Sequence, residues 1–104
     1  MMTLSIAKNA REWREEVFER ASFVCEIARC GNEPTEAHHI CYRSAISTRS
    51  YWIVENGIAL CKMHHDQCHA THNAILPKAR LRAAVDAVNC VEQIPVKHFT
   101  KGKS

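Results

Sequence analysis

Apolar residues recur at helical spacing near the N-terminus, at Trp13, Val17, Phe18 and Ala21. Asn9, with Glu12 three residues on, has the form of a capping box. This pattern predicts a helix from about Ala10 to Ser22 whose apolar stripe serves the core. Phe23-Val24 leads into Cys25, and Gly31-Asn32-Glu33-Pro34 marks a turn. Ala37 to Tyr42 is short and suits a strand. Ser44 to Ser50 is polar and reads as loop. Tyr51-Trp52-Ile53-Val54 is apolar and fits either a strand or a packed loop edge. Asn56-Gly57 supplies turn chemistry just before Ile58 to Leu60, a second strand. A helix should carry Lys62 to about Thr71. Pro77, a good first-turn residue, begins a last helix with Leu81, Ala84, Val85 and Val88 along one face. Lys97 to Ser104 is polar and basic, and a frayed, disordered tail is expected there. With no internal repeat and no linker, the chain reads as one α+β domain over 1–104, with its core at about 23–72.

A chain of 104 residues supports a single thin core and often needs a staple. The six cysteines could supply disulfides or metal ligands. The first ten residues lack the apolar stretch of a signal peptide, and no segment is long enough to span a bilayer. A cytoplasmic, reducing setting is therefore expected, with no membrane partner. Clustered Cys and His favour metal there. Six of the seven histidines fall between His38 and His72. The net charge of +3 permits a nucleic-acid partner without requiring one.

Two short-range pairs, Cys25-x4-Cys30 and Cys61-x2-His64, are spaced for chelation. Thiolate and imidazole are the preferred donors of tetrahedral zinc, and such a site would pin two distant parts of a small chain. Cys68, one helical turn past His64, competes for the fourth place. Cys41 and Cys90 stand alone and are assigned to core packing. His65 and His69 are four apart, which puts both on one helix face. His38, on a strand, could complete a three-imidazole group. Adjacent strand residues face opposite ways, so His38 and His39 divide more naturally into one ligand and one base.

Those residues together resemble the HNH endonucleases, the small type found in bacteriophages and prophages. The matching stretch runs from Cys25 to about His69. The resemblance implies a ββα-metal (His-Me finger) core, here with flanking N- and C-terminal helices. By resemblance His38 takes the first metal-ligand place and His39 that of the general base. Asn56 takes the loop-bracing place, and His65 and His69 those of the two helical ligands. Leu60-Cys61 with position 64 takes the zinc-knuckle place, and Arg43-Ser44 also resembles family members. The chain departs from the pattern in having His at 64, where zinc-bearing relatives usually have Cys. It also lacks the loop's Gly-Gly, and it has His38 where Asp is common.

The implied reaction is metal-dependent hydrolysis of a DNA phosphodiester to a 5′-phosphate and a 3′-hydroxyl. One divalent catalytic ion (Mn, Ni, Co, Mg or Zn) and one structural zinc are implied. His39, titrating near neutrality, would take the proton of the attacking water. Arg43, Arg49 and Lys62 are candidate phosphate contacts. Glu55 and Asp66 are candidate partners for ligand imidazoles. DNA is the implied partner, with phage packaging or recombination proteins as further ones. The competing class is a zinc-stabilised module that holds DNA or protein and cuts nothing. A free base beside a ligand histidine speaks against it.

Overall fold

All four residues of the strand Gly57–Leu60 are buried, and the molecule is built around them. The computed structural model describes residues 6–93. Its elements are α1 (Ala10–Arg20), β1 (Glu36–His39), α2 (Thr48–Tyr51), β2 (Gly57–Leu60), α3 (Lys62–Ala70) and α4 (Lys78–Glu92). Single 3-10 turns lie at Arg43–Ala45 and Val54–Asn56. The two strands pair antiparallel, which makes a small α+β fold with helices on both sides of a two-stranded sheet.

Strand alternation sorts the core. Ile58 and Leu60 pack with Ile40, Cys68, Leu76 and Ala84, between the sheet and the α3 and α4 side. Ala59 faces the other way, with Trp13 and Val17 of α1 and with Val54. Ile53 joins Ala87, Val88 and Val91 of α4 in a third cluster. Burying one Ile or Leu fully contributes about 1.5–3 kcal/mol, so this single strand carries much of the core. The register pairs His38 with Ile58 and His39 with Gly57. Paired residues share a face. His38 therefore faces α3, and His39 faces α1.

Helix ends follow local chemistry. Asn9 caps α1, its side chain accepting from the Glu12 backbone N–H at 2.9 Å. At the other end Ser22 and Phe23 take left-handed φ values of 57° and 60°. Their N–H groups donate back to Glu19 and Phe18, a Schellman closure that ends the helix two residues before Ser22. The same closure ends α3, where Asn73 donates its backbone N–H to Cys68 at 2.9 Å. Arg20 fastens α1 to the sheet. Its guanidinium donates to the Val54 and Gly57 carbonyls at 2.9 Å each and pairs with Glu26.

Several local expectations change. β1 ends at His39, because Ile40 and Cys41 turn to meet Asn56. Part of the expected loop is a short helix, α2, capped by Ser47. The expected strand or loop edge at Tyr51 to Val54 is divided: Tyr51 ends α2, Val54 begins a 3-10 turn, and between them Ile53 makes an isolated bridge to Ile6. On α4 the buried residues are Ala84, Ala87, Val88 and Val91, while Val85 is exposed, because the helix packs on Ile53. Cys90 is exposed too, a correction to its core assignment. The tail expected at 97–104 lies outside the described residues. Among the described residues no helix is long and apolar enough to cross a membrane.

Candidate functional site

Among the described residues, two groups of side chains are placed to hold a metal ion. The first is Cys25, Cys30, Cys61 and His64, all ligand atoms lying within 4.8 Å of one another. Cys25 and Cys30 come from the hooked segment after α1. Cys61 immediately precedes α3, and His64 lies in its first turn. Sγ of Cys25 and of Cys61 lie 3.6 and 3.4 Å from His64 Nδ1, and Cys30 Sγ lies 3.8 Å from Cys61 Sγ. Tetrahedral zinc, with Zn–S of about 2.3 Å and Zn–N of about 2.0 Å, requires ligand–ligand edges of roughly 3.5–3.8 Å. The group thus fits a metal such as zinc.

The two buried thiols of this group differ. Burial pushes the Cys25 thiol up to about 11. Burial pushes Cys61 upward as well, but hydrogen bonds outweigh it, from the backbone and side chain of His64 and from Cys30 and Cys25. They bring Cys61 down to about 6. A helix N-terminus favours thiolate in the same direction. Cys68, the competitor for the fourth place, is fully buried in the core, and its thiol is pushed up by burial.

The second group is His38, His65 and His69. Four-residue spacing on α3 brings Nε2 of His65 and of His69 to 3.0 Å. The His38 ring stands 5.4 and 5.1 Å from theirs, centroid to centroid, with its plane at 70° and 89° to them. Burial lowers the His38 pKa, and the neighbouring imidazoles add to the effect. Neutral imidazole is the form that binds metal. His38 Nε2 lies 2.8 Å from Asn73 Oδ1, while Asn73 Nδ2 donates to the Ile40 carbonyl at 3.2 Å. That second bond fixes the amide, so its oxygen faces the ring and His38 carries its proton on Nε2. Asn73, held by the Schellman closure, therefore sets the rotation of His38. Sequence reasoning missed it; the available signal was an Asn just past a helix end.

His39 stands outside the ligand group. Trp13 and Tyr51 stack on its faces, and its Nε2 is covered and has no hydrogen-bond partner. Burial pushes its pKa down to about 4, outweighing a hydrogen bond to the Tyr51 carbonyl. The sequence expectation of a near-neutral titration is corrected accordingly. His38, His39, His65, His69, Tyr42 and Tyr51 line one cavity of about 220 Å³. Asn56 is fully buried. Its Oδ1 accepts from the Cys41 N–H at 2.7 Å, and its Nδ2 donates to the Cys41 carbonyl at 3.2 Å and the Tyr51 carbonyl at 3.5 Å. It ties the segment after β1 to the end of α2.

The expected phosphate contacts separate. Arg43 is exposed and lies over the Tyr51 ring at 5.4 Å, beside the cavity. Arg49 donates to the Val91 carbonyl of α4 at 2.9 Å. Lys62 pairs with Asp66 at 3.3 Å on the outside of α3. Glu55 lines a groove along α4 with Ala83 and Ala87, and its buried Oε1 has no hydrogen-bond partner. Comparison of the chain with protein-family models, with curated proteins and with solved structures gave no match.

Proposed function

We propose that the protein is a metal-dependent nuclease of HNH type, with a ββα-metal core made of β1, β2 and α3. One observation carries this reading. Three imidazoles converge on a cavity whose wall holds a fourth, His39, kept neutral and with one nitrogen uncommitted. A buried acceptor without a partner costs about 1–3 kcal/mol, so its retention calls for a role.

In this reading His38, His65 and His69 hold one divalent ion, and Cys25, Cys30, Cys61 and His64 hold a structural zinc. The catalytic ion, when bound, neutralises charge on the phosphoryl group and on the leaving oxygen. His39 accepts the proton of the attacking water. The Tyr51 carbonyl accepts a hydrogen bond from that ring, and Asn56 holds the carbonyl. Arg43 meets a neighbouring phosphate. DNA is the substrate, cut to a 5′-phosphate and a 3′-hydroxyl. Three imidazoles suit manganese, cobalt, nickel or zinc better than magnesium, which prefers hard oxygen ligands.

Plasmid cleavage tests the reading. Wild-type protein should nick with manganese, nickel or cobalt at least as well as with magnesium, and EDTA should stop it. His39→Ala should lose on the order of a hundredfold in rate, the usual worth of a positioned base, while still binding metal and DNA. Undiminished cutting by His39→Ala under metal-replete conditions would remove the mechanism and favour a non-cutting binding module.

A further inference from the structure

Both faces of the His39 imidazole are covered by aromatic rings. Trp13 of α1 lies on one side, with ring centroids 3.8 Å apart and planes 3° from parallel. Tyr51, at the end of α2, lies on the other at 3.6 Å and 7°. Trp52 stands edge-on to His39 at 5.5 Å and closes one side of the slot.

Each wall is anchored independently of His39. The Trp13 Nε1–H donates to the Ile53 carbonyl at 3.0 Å, inside the core. Its indole occupies space that only glycine leaves open. A Cβ on Gly57, the residue paired with His39, would lie 2.6 Å from Trp13 Cζ2. Tyr51 is held by its place in α2 and carries the Arg43 guanidinium over its ring.

Core packing does not require this arrangement. A histidine buried for structure is held by hydrogen bonds at both ring nitrogens. Here Nε2 has none, so edge contacts alone leave the last torsion loosely set, as the broad χ2 well of histidine allows. Stacking supplies the missing restraint. We propose that Trp13 and Tyr51 are positioning residues. They form a two-sided aromatic slot that fixes the plane of His39 in the wall of the cavity shared with His38, His65 and His69. The inference rests on the nuclease reading above. Trp13 lies outside the stretch that resembles the HNH signature, so the slot recruits the N-terminal helix to the active site. Its contribution belongs to kcat, because orientation of a reacting group is gained within the bound complex.

The test uses the full chain loaded with manganese. Tyr51→Leu, at a half-buried site, removes one wall without opening the core. It should lower kcat roughly tenfold or more through lost orientation, with KM changed less than about twofold. Tyr51→Phe keeps the ring and should restore most of the lost rate. Trp13→Phe, a smaller ring without the indole donor, should fall between them. Metal content should match wild type in all three. Proton NMR gives an independent readout. The His39 ring protons, between two ring currents, should resonate upfield of the other histidines, and should move downfield in Tyr51→Leu.

Wild-type kcat in Tyr51→Leu would overturn the proposal. So would a loss confined to KM, which would make Tyr51 a substrate contact. Tyr51→Phe as impaired as Tyr51→Leu would assign the effect to the hydroxyl and overturn it equally. His39 protons at ordinary positions would show that the slot does not exist in solution. A wild type that cuts with no divalent ion fails differently: the nuclease reading falls, and the catalytic role of the slot falls with it, even where the upfield protons are found.

Discussion

His38 and His39 are adjacent and chemically alike, and the sheet makes them different. One turns toward α3 and two further imidazoles, the other toward α1 and a pair of aromatic rings. Their charge states follow from that burial. His39 is held down to about 4, and His38 is also lowered. Cleavage should therefore be nearly flat with pH between about 6 and 8 on the His39 side, instead of rising through the ordinary histidine range near 6.5. Rates measured across that range at constant metal occupancy check this. A steep rise centred near 6.5 would show that His39 is more hydrated than its packing indicates. Stability carries the same signature. Between about 4 and about 6.5 the unfolded chain binds the His39 proton and the folded chain does not, so stability rises with pH there. It is complete above about 6.5 and is lost progressively as pH falls toward 4. Urea midpoints of the metal-free protein should drop from pH 7 to pH 5.

At the scale of elements, the strand pair and α3 were readable because their signals are local. The short apolar run Ile58 to Leu60, the Asn56-Gly57 turn and the four-residue His65/His69 spacing need no knowledge of distant residues. Helix α2 was not readable in that way. Ser47 and Ser50 both bond Glu92, more than forty residues on, and that tertiary partner stabilises a turn of polar residues. Burial alone would raise the Glu92 pKa, but these hydroxyls outweigh it and hold it below the usual carboxylate value. Asn73 and Trp13 escaped for the same reason. Each acts on a histidine more than twenty residues away. The α4 face was misjudged by one position, because Ile53 decides which side is buried. Gly57 tests the sheet–helix contact directly. Gly57→Ala would put a Cβ 2.5 Å from Val17 Cγ2 and 2.6 Å from Trp13 Cζ2. The destabilisation should be about 1–3 kcal/mol, the usual cost of overpacking, measured by urea unfolding. An alanine variant as stable as wild type would mean that α1 shifts freely on the sheet.

For the whole molecule, the thiol-rich group matters more than its size suggests. Purified protein should hold close to one tightly bound zinc. Cys25→Ser should lower both the zinc content and the melting temperature, seen by metal analysis and thermal unfolding. Unchanged values in both would reduce these cysteines to packing. The pairing Cys25-x4-Cys30 with Cys61-x2-His64 was legible from spacing alone, and the structure brings those four residues together while leaving Cys68 in the core. Its wider effect lies in topology. Cys25 and His64 are 39 positions apart. With an ion bound between them, the intervening chain becomes a closed ring containing β1, Asn56 and β2, and α1 and α4 become two tails outside it. In the chain-entropy view, closing a ring of this length removes about 4 kcal/mol of freedom from the denatured chain. Heat would then melt the loaded protein into a tethered loop that keeps His38, His39 and Asn56 near one another. Refolding from that loop should outpace refolding from the open, chelator-treated chain.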